Sequence, residues 1–499
     1  MTQLLLGIDI GTGSSKALLA TPGGDIVATR TREHAMSLPR PGWAEMDAEG
    51  VWWNEVAGLC QELVTHAAGQ PIAGVAVSGL GPSLLPCDAQ DRPLRPAILY
   101  GIDMRATRQI AELTNRLGED RIVARGGSAL STQAIGPKLL WIRQQEPDVW
   151  RQMARWYSAS SFVVARLTGE WVLDHHTASQ CDPLYDMQAT DWAHDWVADI
   201  FPGMELPRLA WSSEVVGEIT PTAAAATGLV AGTPVTAGTV DAWAEAFSAG
   251  ARRPGDLMLM YGSTMFFIQF LATYRTHPKL WTTAGLEPNV TTLAAGMATS
   301  GSLTTWFRHL CGDASFDDLV GEAEATPAGA NGLVVLPYFA GERTPIFDPR
   351  ARGVIAGLTL QHSRGHIFRA VYEGIGFGIR QILELLDSSG ESVQRLIAVG
   401  GGTQGGLWTQ VVTDITGREQ TLPTQTIGAS YGDALLAATA TGLVNPDTDW
   451  ATISTTVVPD RSTRNTYDEL FEIYSGLYPA ARDLVHRLAV MQESGTGYE

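Results

Sequence analysis

Several short segments of this 499-residue chain carry the residue types that hold phosphate and move protons. In Asp9-Ile10-Gly11-Thr12-Gly13-Ser14-Ser15-Lys16 the glycines let the backbone come close to an anion, and successive N–H groups with Thr and Ser hydroxyls can cradle phosphate oxygens. A strand-end carboxylate such as Asp9 can hold Mg²⁺ through water, because magnesium keeps much of its hydration shell. Tyr261-Gly262-Ser263-Thr264 repeats that chemistry, and two such turns could grip one polyphosphate. Either turn could equally be a tight hairpin whose glycines only permit the bend. Val399-Gly400-Gly401-Gly402-Thr403-Gln404-Gly405-Gly406-Leu407 contains G-x-G-x-x-G between a strand and a helix. That pattern fits a dinucleotide loop, a flat seat for adenine or ribose, or a loop that only needs positive φ. Asp241 stands where a short strand gives way to a helix, and an aspartate there is either a helix cap or a general base for an attacking hydroxyl. No G-K-[ST] occurs, so none of these is a Walker loop. His175-His176 resembles a metal pair only superficially, since adjacent residues do not share a helix face; a polar loop is expected there.

An alternating α/β framework has to position these segments. Leu4, Leu6, Ile8 and Ile10 alternate with Leu5, Gly7 and Asp9, which predicts a strand with Asp9 on the face opposite the isoleucines. A turn at 11–14 and strands at 16–20 and 26–29 follow, then a helix stripe of Trp52, Val56, Leu59 and Leu63, and a buried strand at 72–77. The same grammar returns with a hairpin at 257–261 and 266–270, a strand at 396–399 and a helix at 407–415. We read a structural repeat, two α/β lobes of similar topology with mixed sheets. The basic Pro/Gly segment Ala251-Arg252-Arg253-Pro254-Gly255 divides them into residues 1–250 and 251–499. Residues 467–491 read as a closing surface helix.

Composition excludes several classes of function. An apolar fraction of 45% with 17% charged residues suits sizeable cores and argues against disorder. The formal charge of −19 repels phosphate backbones and anionic lipid, so neither nucleic acid nor membrane is an expected partner. Cys60, Cys87, Cys181 and Cys311 form no C-x-x-C pair, which suits a reducing cytoplasm. Residues 1–10 lack the basic flank and cleavage site of a signal peptide, and no run reaches the ~18 apolar residues of a membrane helix.

Together these residues resemble the FGGY carbohydrate kinases, within the actin–hexokinase–heat-shock-chaperone superfamily of two-lobed ATPases. Gly353-Val354-Ile355-Ala356-Gly357-Leu358, followed further on by His366-Ile367-Phe368-Arg369-Ala370-Val371-Tyr372-Glu373, follows the family's second signature throughout. Gly341-Glu342-Arg343-Thr344-Pro345, with Asp348-Pro349 and Arg352-Gly353, is another family stretch. Lys138-Leu139-Leu140-Trp141-Ile142 matches the core of the first signature, while Gln133 and Ile135 miss its opening positions. The resemblance implies two ribonuclease-H-like lobes with the active site in a central cleft, ATP and Mg²⁺ as cofactors, and a cytoplasmic sugar kinase; it leaves a homodimer open. It puts Asp9 near magnesium, and Gly11, Thr12, Gly13, Ser14 and Lys16 on the first phosphate hairpin. Gly262, Ser263 and Thr264 fall on the second hairpin, Gly400, Gly401, Gly402 and Gln404 on the adenosine motif, and Asp241 on the catalytic aspartate.

The acceptor is less sharply written. Xylulokinases carry a Gln-Met-His-Gly stretch against the sugar, where this chain has Leu80-Gly81-Pro82-Ser83, and the Asn after their catalytic Asp is Ala242 here. Each change removes a hydrogen-bond partner for a ketose hydroxyl. Ser83, Tyr100, Asp103 and Arg105, with Asp241, are the expected sugar contacts, and a ketopentose such as xylulose or ribulose is the expected substrate. Two other readings stay open at this point: an NAD(P)-dependent oxidoreductase using the Gly400 loop, and a non-catalytic actin-like nucleotide-binding module that keeps both hairpins.

Overall fold

A computed structural model describes residues 3–389, 391–424 and 427–494; Met1 and Thr2, which open the apolar first stretch, lie outside the described residues. The chain forms two compact units. One comprises Met1–Arg252, Ala272–Thr292 and Ile427–Ala451, the other Arg253–Leu271, Leu293–Thr426 and Thr452–Glu499. The first unit therefore draws on both halves of the sequence, whereas the second lies wholly after residue 252.

In the first unit β1 (Leu4–Ile10), β2 (Ser14–Ala20) and β3 (Ile26–Glu33) form an antiparallel meander, followed by α1 (Asn54–His66) and β4 (Ile72–Gly79). After α2 (Ala159–Thr168) come β5 (Val215–Glu218), β6 (Pro234–Thr236), β7 (Thr239–Val240) and α3 (Asp241–Ser248). The sheet order is β3-β2-β1-β4-β6-β5, with β7 also beside β4; β4 is parallel to both β1 and β6, and the edge strand β5 is antiparallel. The second unit holds β8 (Asp256–Tyr261), β9 (Met265–Leu271), β10 (Thr291–Met297), α4 (Gly301–Leu310), β11 (Arg395–Val399), α5 (Leu407–Thr416), β12 (Gln420–Pro423) and β13 (Ile453–Val457). Six of the seven strands in its sheet run β10-β9-β8-β11-β12-β13, with β8 antiparallel to β9, β11 parallel to both β8 and β12, and an antiparallel edge at β13. Over these six strands the two paths follow the same order, so the repeat expected from the two polar-glycine turns is present. Each unit is a ribonuclease-H-like α/β lobe of the actin and hexokinase superfamily.

β1 is buried on both faces. Leu4, Leu6, Ile8 and Ile10 join Val56, Leu59 and Leu63 of α1 in one apolar cluster. The opposite face is covered by α6 (Ala429–Ala440), a segment from far down the chain that packs on β1 and β4. Gly7 is what lets it in: a Cβ there would come within 1.9 Å of the Ser430 carbonyl oxygen. Asp9 shares that face and is directed toward the α6 side of the sheet. The histidine pair departs from the expected loop. His175–Ala178 forms a short helix with both imidazoles buried, His175 stacked on Trp211 and His176 against Trp243, and their ring nitrogens find hydrogen-bond partners in Tyr185, Ala284 and Gln180. The closing helix runs Arg464–Ser494. Among the described residues no helix is long and apolar enough to cross a membrane.

Candidate active site

Open α/β sheets place ligands beyond the carboxyl ends of their parallel strands. In the first unit β1, β4 and β7 end together, Ile10 level with Gly79 and Gly79 with Val240. The residues that follow are the Gly11-Thr12-Gly13 turn, the turn at 80–83, and Asp241.

Asp241 opens α3, with Val240 in the cap position, so the aspartate is the first helical residue rather than the cap. Its Oδ1 accepts a 2.7 Å hydrogen bond from the Ala242 N–H, at the positive end of the helix dipole. Burial pushes its carboxyl up to about 6, and the Ala242 bond opposes part of that rise. Glu245, one turn further along α3, is raised to about 7 by burial and then by the Asp241 charge. Asp9 is raised well above the ordinary carboxylate range by burial first and Asp241 second, with Lys16 opposing. Lys16 is the cross-strand partner of Asp9 and therefore shares its face. From the α6 side comes Asp433, fully buried and raised by its burial; the Ser78 hydroxyl donates to its Oδ2 at 2.6 Å and pulls the other way.

Four carboxyls with one ammonium among them cannot all ionise unless a cation or protons balance them. Asp9 Oδ1 and Asp433 Oδ1 are buried and lack hydrogen-bond partners among the described residues. A buried acidic cluster with two unpartnered carboxylate oxygens has the donor chemistry of a divalent cation site. Among the described residues no set of three or more His, Cys, Asp or Glu is placed to hold an ion alone.

The first hairpin closes with the Gly11 N–H donating to the Ser14 carbonyl at 2.9 Å, and the Thr12 hydroxyl lies 2.8 Å from that of Tyr100. Neither Gly11 nor Gly13 has positive φ, and a Cβ on Gly13 would meet nothing within 4 Å. Turn geometry therefore does not demand glycine at 13; the open space above its backbone is what a side chain would fill. In the second unit the Gly262 and Ser263 carbonyls accept from the Gly301 and Ser300 N–H groups at 2.9 and 3.0 Å, which anchors the hairpin on the start of α4. Ser263 and Thr264 are exposed at its tip. β8 runs beside β11, Met260 level with Val399, so this hairpin and the Gly400 loop leave the same end of one sheet. Gly400 is required as glycine on two counts, its positive φ and the 2.6 Å approach that a Cβ would make to the Tyr261 carbonyl oxygen. Gly401 and Gln404 are exposed, a Cβ at 401 would meet open space, and one at 402 would strike the Trp408 ring. β11, this loop, α5 and the parallel strand β12 do form a βαβ unit, but β11 lies on its other side against the antiparallel hairpin of β8 and β9, unlike the mostly parallel sheet of a dinucleotide fold.

The expected sugar contacts are placed unequally. Tyr100 is partly exposed beside Thr12. The Ser83 hydroxyl is buried and accepts the Ala159 N–H at the start of α2. Asp103 and Arg105 are buried against each other, 2.7 Å apart; Arg105 also reaches Glu45 at 2.7 Å and lies over the Trp43 ring, and Asp103 accepts the Ala44 N–H. These two hold one another and the loop between them. Sequence reading missed Glu245, which the four-residue helical spacing from Asp241 could have flagged. It also missed Ser78 and Asp433, which no local signal connects to Asp9.

The family model for the N-terminal domain of the FGGY family of carbohydrate kinases matches residues 4–248, and that for the C-terminal domain matches residues 257–441. The chain is 30% identical over 440 residues to xylulose kinase of Escherichia coli (strain K12), covering 87% of this chain and 89% of that one. It is 31% identical over 479 residues to glycerol kinase of Nocardia farcinica (strain IFM 10152), covering 91% and 94%. Its fold is similar to the crystal structure of xylulose kinase from Rhodospirillum rubrum, with a TM-score of 0.90 at 32% identity over 97% of this chain and 100% of that one. With both domains of one family matched along most of its length and the strand order repeated in each unit, the chain belongs to the FGGY family of carbohydrate kinases, enzymes that phosphorylate sugars with ATP.

Proposed function

We propose that this kinase transfers the γ-phosphoryl group of ATP to a hydroxyl of a ketopentose such as xylulose or ribulose, with Asp241 as general base, in the cytoplasm. The observation that carries the reading is Asp241 itself. It is a partly exposed carboxylate at a strand end, raised to about 6, fixed by the first N–H of its helix and set among other acidic groups. As the acceptor oxygen bonds to phosphorus, the bond from phosphorus to the ADP oxygen breaks and the hydroxyl proton passes to Asp241. Gly11, Thr12, Gly13, Ser14 and Lys16 on one hairpin, and Gly262, Ser263 and Thr264 on the other, donate to phosphate oxygens and hold them in line. Gly400, Gly401, Gly402 and Gln404 seat the adenosine. Asp9 would hold Mg²⁺ through water, supplying charge neutralisation on the β- and γ-phosphate oxygens when bound.

A second reading of the acceptor has its own support. The segment at 80–83 and Ala242 lack the polar groups that xylulokinases turn to their sugar, and one similar protein is a glycerol kinase, so a shorter polyol such as glycerol is the alternative. Coupled ADP release over xylulose, ribulose and glycerol separates them. The proposal expects the highest kcat/KM with a ketopentose. Glycerol turned over at least tenfold more efficiently than either pentulose would replace it with the second reading.

A further inference from the structure

Gln133 departs from the family signature, and its amide joins three segments of the first unit. Its Oε1 accepts the Gly101 N–H at 3.0 Å, and its Nε2 donates to the Gly81 carbonyl at 3.0 Å and to Gln180 Oε1 at 3.2 Å. Gly101 offers only a donor and Gly81 only an acceptor, so the amide has one orientation. The Gly101 carbonyl is held in turn by the Thr132 hydroxyl at 2.7 Å. From Gln180 the chain of bonds continues through its Nε2 to His176 Nε2 at 2.9 Å, and from His176 Nδ1 to the Ala284 carbonyl at 2.7 Å. The carbonyl can only accept, so Nδ1 carries the hydrogen and Nε2 receives one, which fixes a neutral imidazole. Burial pushes the His176 pKa down to about 4, in keeping with that state. The ring packs against Trp243, two residues after Asp241.

We propose that Gln133 is a positioning residue for the sugar, holding the Gly81–Ser83 turn and the Tyr100–Arg105 loop at a fixed separation, with Gln180 and His176 anchoring the amide to the body of the unit. This rests on the reading above that these two segments face the acceptor. Where xylulokinases recognise the sugar with side chains at the turn, this chain sets the turn's backbone, so acceptor fit depends on where the Gly81 and Gly101 peptides are pinned.

The test is steady-state kinetics of the full chain with the best pentulose. Gln133→Leu is expected to raise the acceptor KM roughly tenfold, the scale of one or two lost hydrogen bonds, while kcat and the KM for ATP stay within about twofold. Gln133→Glu keeps the shape and the bond from Gly101 but turns an oxygen toward the Gly81 carbonyl. It is expected to do the same, and it carries the test if the leucine variant does not fold. Gln180→Leu added to Gln133→Leu should contribute little more, because the first change already breaks the chain. An unchanged acceptor KM in both Gln133 variants, or KM values for acceptor and ATP rising together, overturns the proposal. Tyr100→Phe, measured alongside, reports on the underlying reading. If its acceptor KM is unchanged while that of Gln133→Leu rises, the Tyr100 contact is wrong and the Gln133 role stands.

Discussion

Asp241→Ala is expected to lower acceptor-dependent ADP release by about 10²–10⁴-fold, the usual contribution of a positioned general base, while ATP affinity measured by equilibrium titration stays within about twofold. The split follows from where the side chain sits. Asp241 touches the Ala242 N–H and belongs to the acidic cluster, whereas the phosphate-binding donors are assigned to the hairpins. Alanine also removes that bond at the start of α3, so Asp241→Asn is the sharper variant: its amide oxygen still accepts from Ala242 but cannot take a proton at neutral pH. A loss of similar size in both variants assigns the effect to proton transfer. Loss in alanine alone would assign it to the helix start. Wild-type rates in both would remove Asp241 from the mechanism.

Lys138→Met is expected to stabilise the protein, by up to about 5 kcal/mol at pH 7 and below, a gain that shrinks as the pH is raised and loses its charge-dependent part above about 10.5. Lys138 lies in the helix Ile135–Gln145, fully buried, and its Nζ has no hydrogen-bond partner among the described residues. Burial pushes its pKa down to about 7, with the Asp103 carboxylate opposing and Arg105 adding to the fall. Between about 7 and the ordinary value of 10.5 the unfolded chain therefore holds a proton that the folded chain has released, and stability rises with pH across that window. Below it the whole penalty of burying the amine is present. Methionine has nearly the same shape without the charge, so the penalty disappears. Urea unfolding at pH 7 and pH 10.5 measures it; a Met variant less stable than the parent at pH 7 would mean that the amine is held by a partner worth more than its desolvation.

Much of the framework was legible because its signals are local. Alternating aliphatics gave β1 at Leu4–Ile10, and polar-glycine turns marked both hairpins. Periodicity could not announce that β1 is covered on its second face by α6, which comes from more than four hundred residues away and meets the sheet at Gly7. Asp433 arrives with that helix, so a carboxylate beside Asp9 is invisible in either segment read alone. Asp241 carried two meanings in its own window, and only the resemblance chose between them; the structure adds that Val240, not Asp241, occupies the cap position. Asp103 and Arg105 show what spacing leaves out. Their residue types suit sugar recognition, but burial against each other, Glu45 and Trp43 is a matter of tertiary packing that spacing does not reveal. His175 and His176 likewise look polar in sequence and are core residues in the fold.

The pH dependence of acceptor phosphorylation, measured with acceptor and ATP both far below saturation so that it reports the free enzyme, tests the role of Asp241 most directly. A base must be ionised to take the proton, so the rate should fall as pH drops through the range from about 7 to about 6 in which Glu245 and Asp241 titrate, and Glu245→Gln should remove its part of that limb while the limb set by Asp241, coupled to Asp9 and Asp433, remains. A rate that stays level from roughly pH 8 down to pH 5, or that climbs toward acid, would contradict an aspartate base.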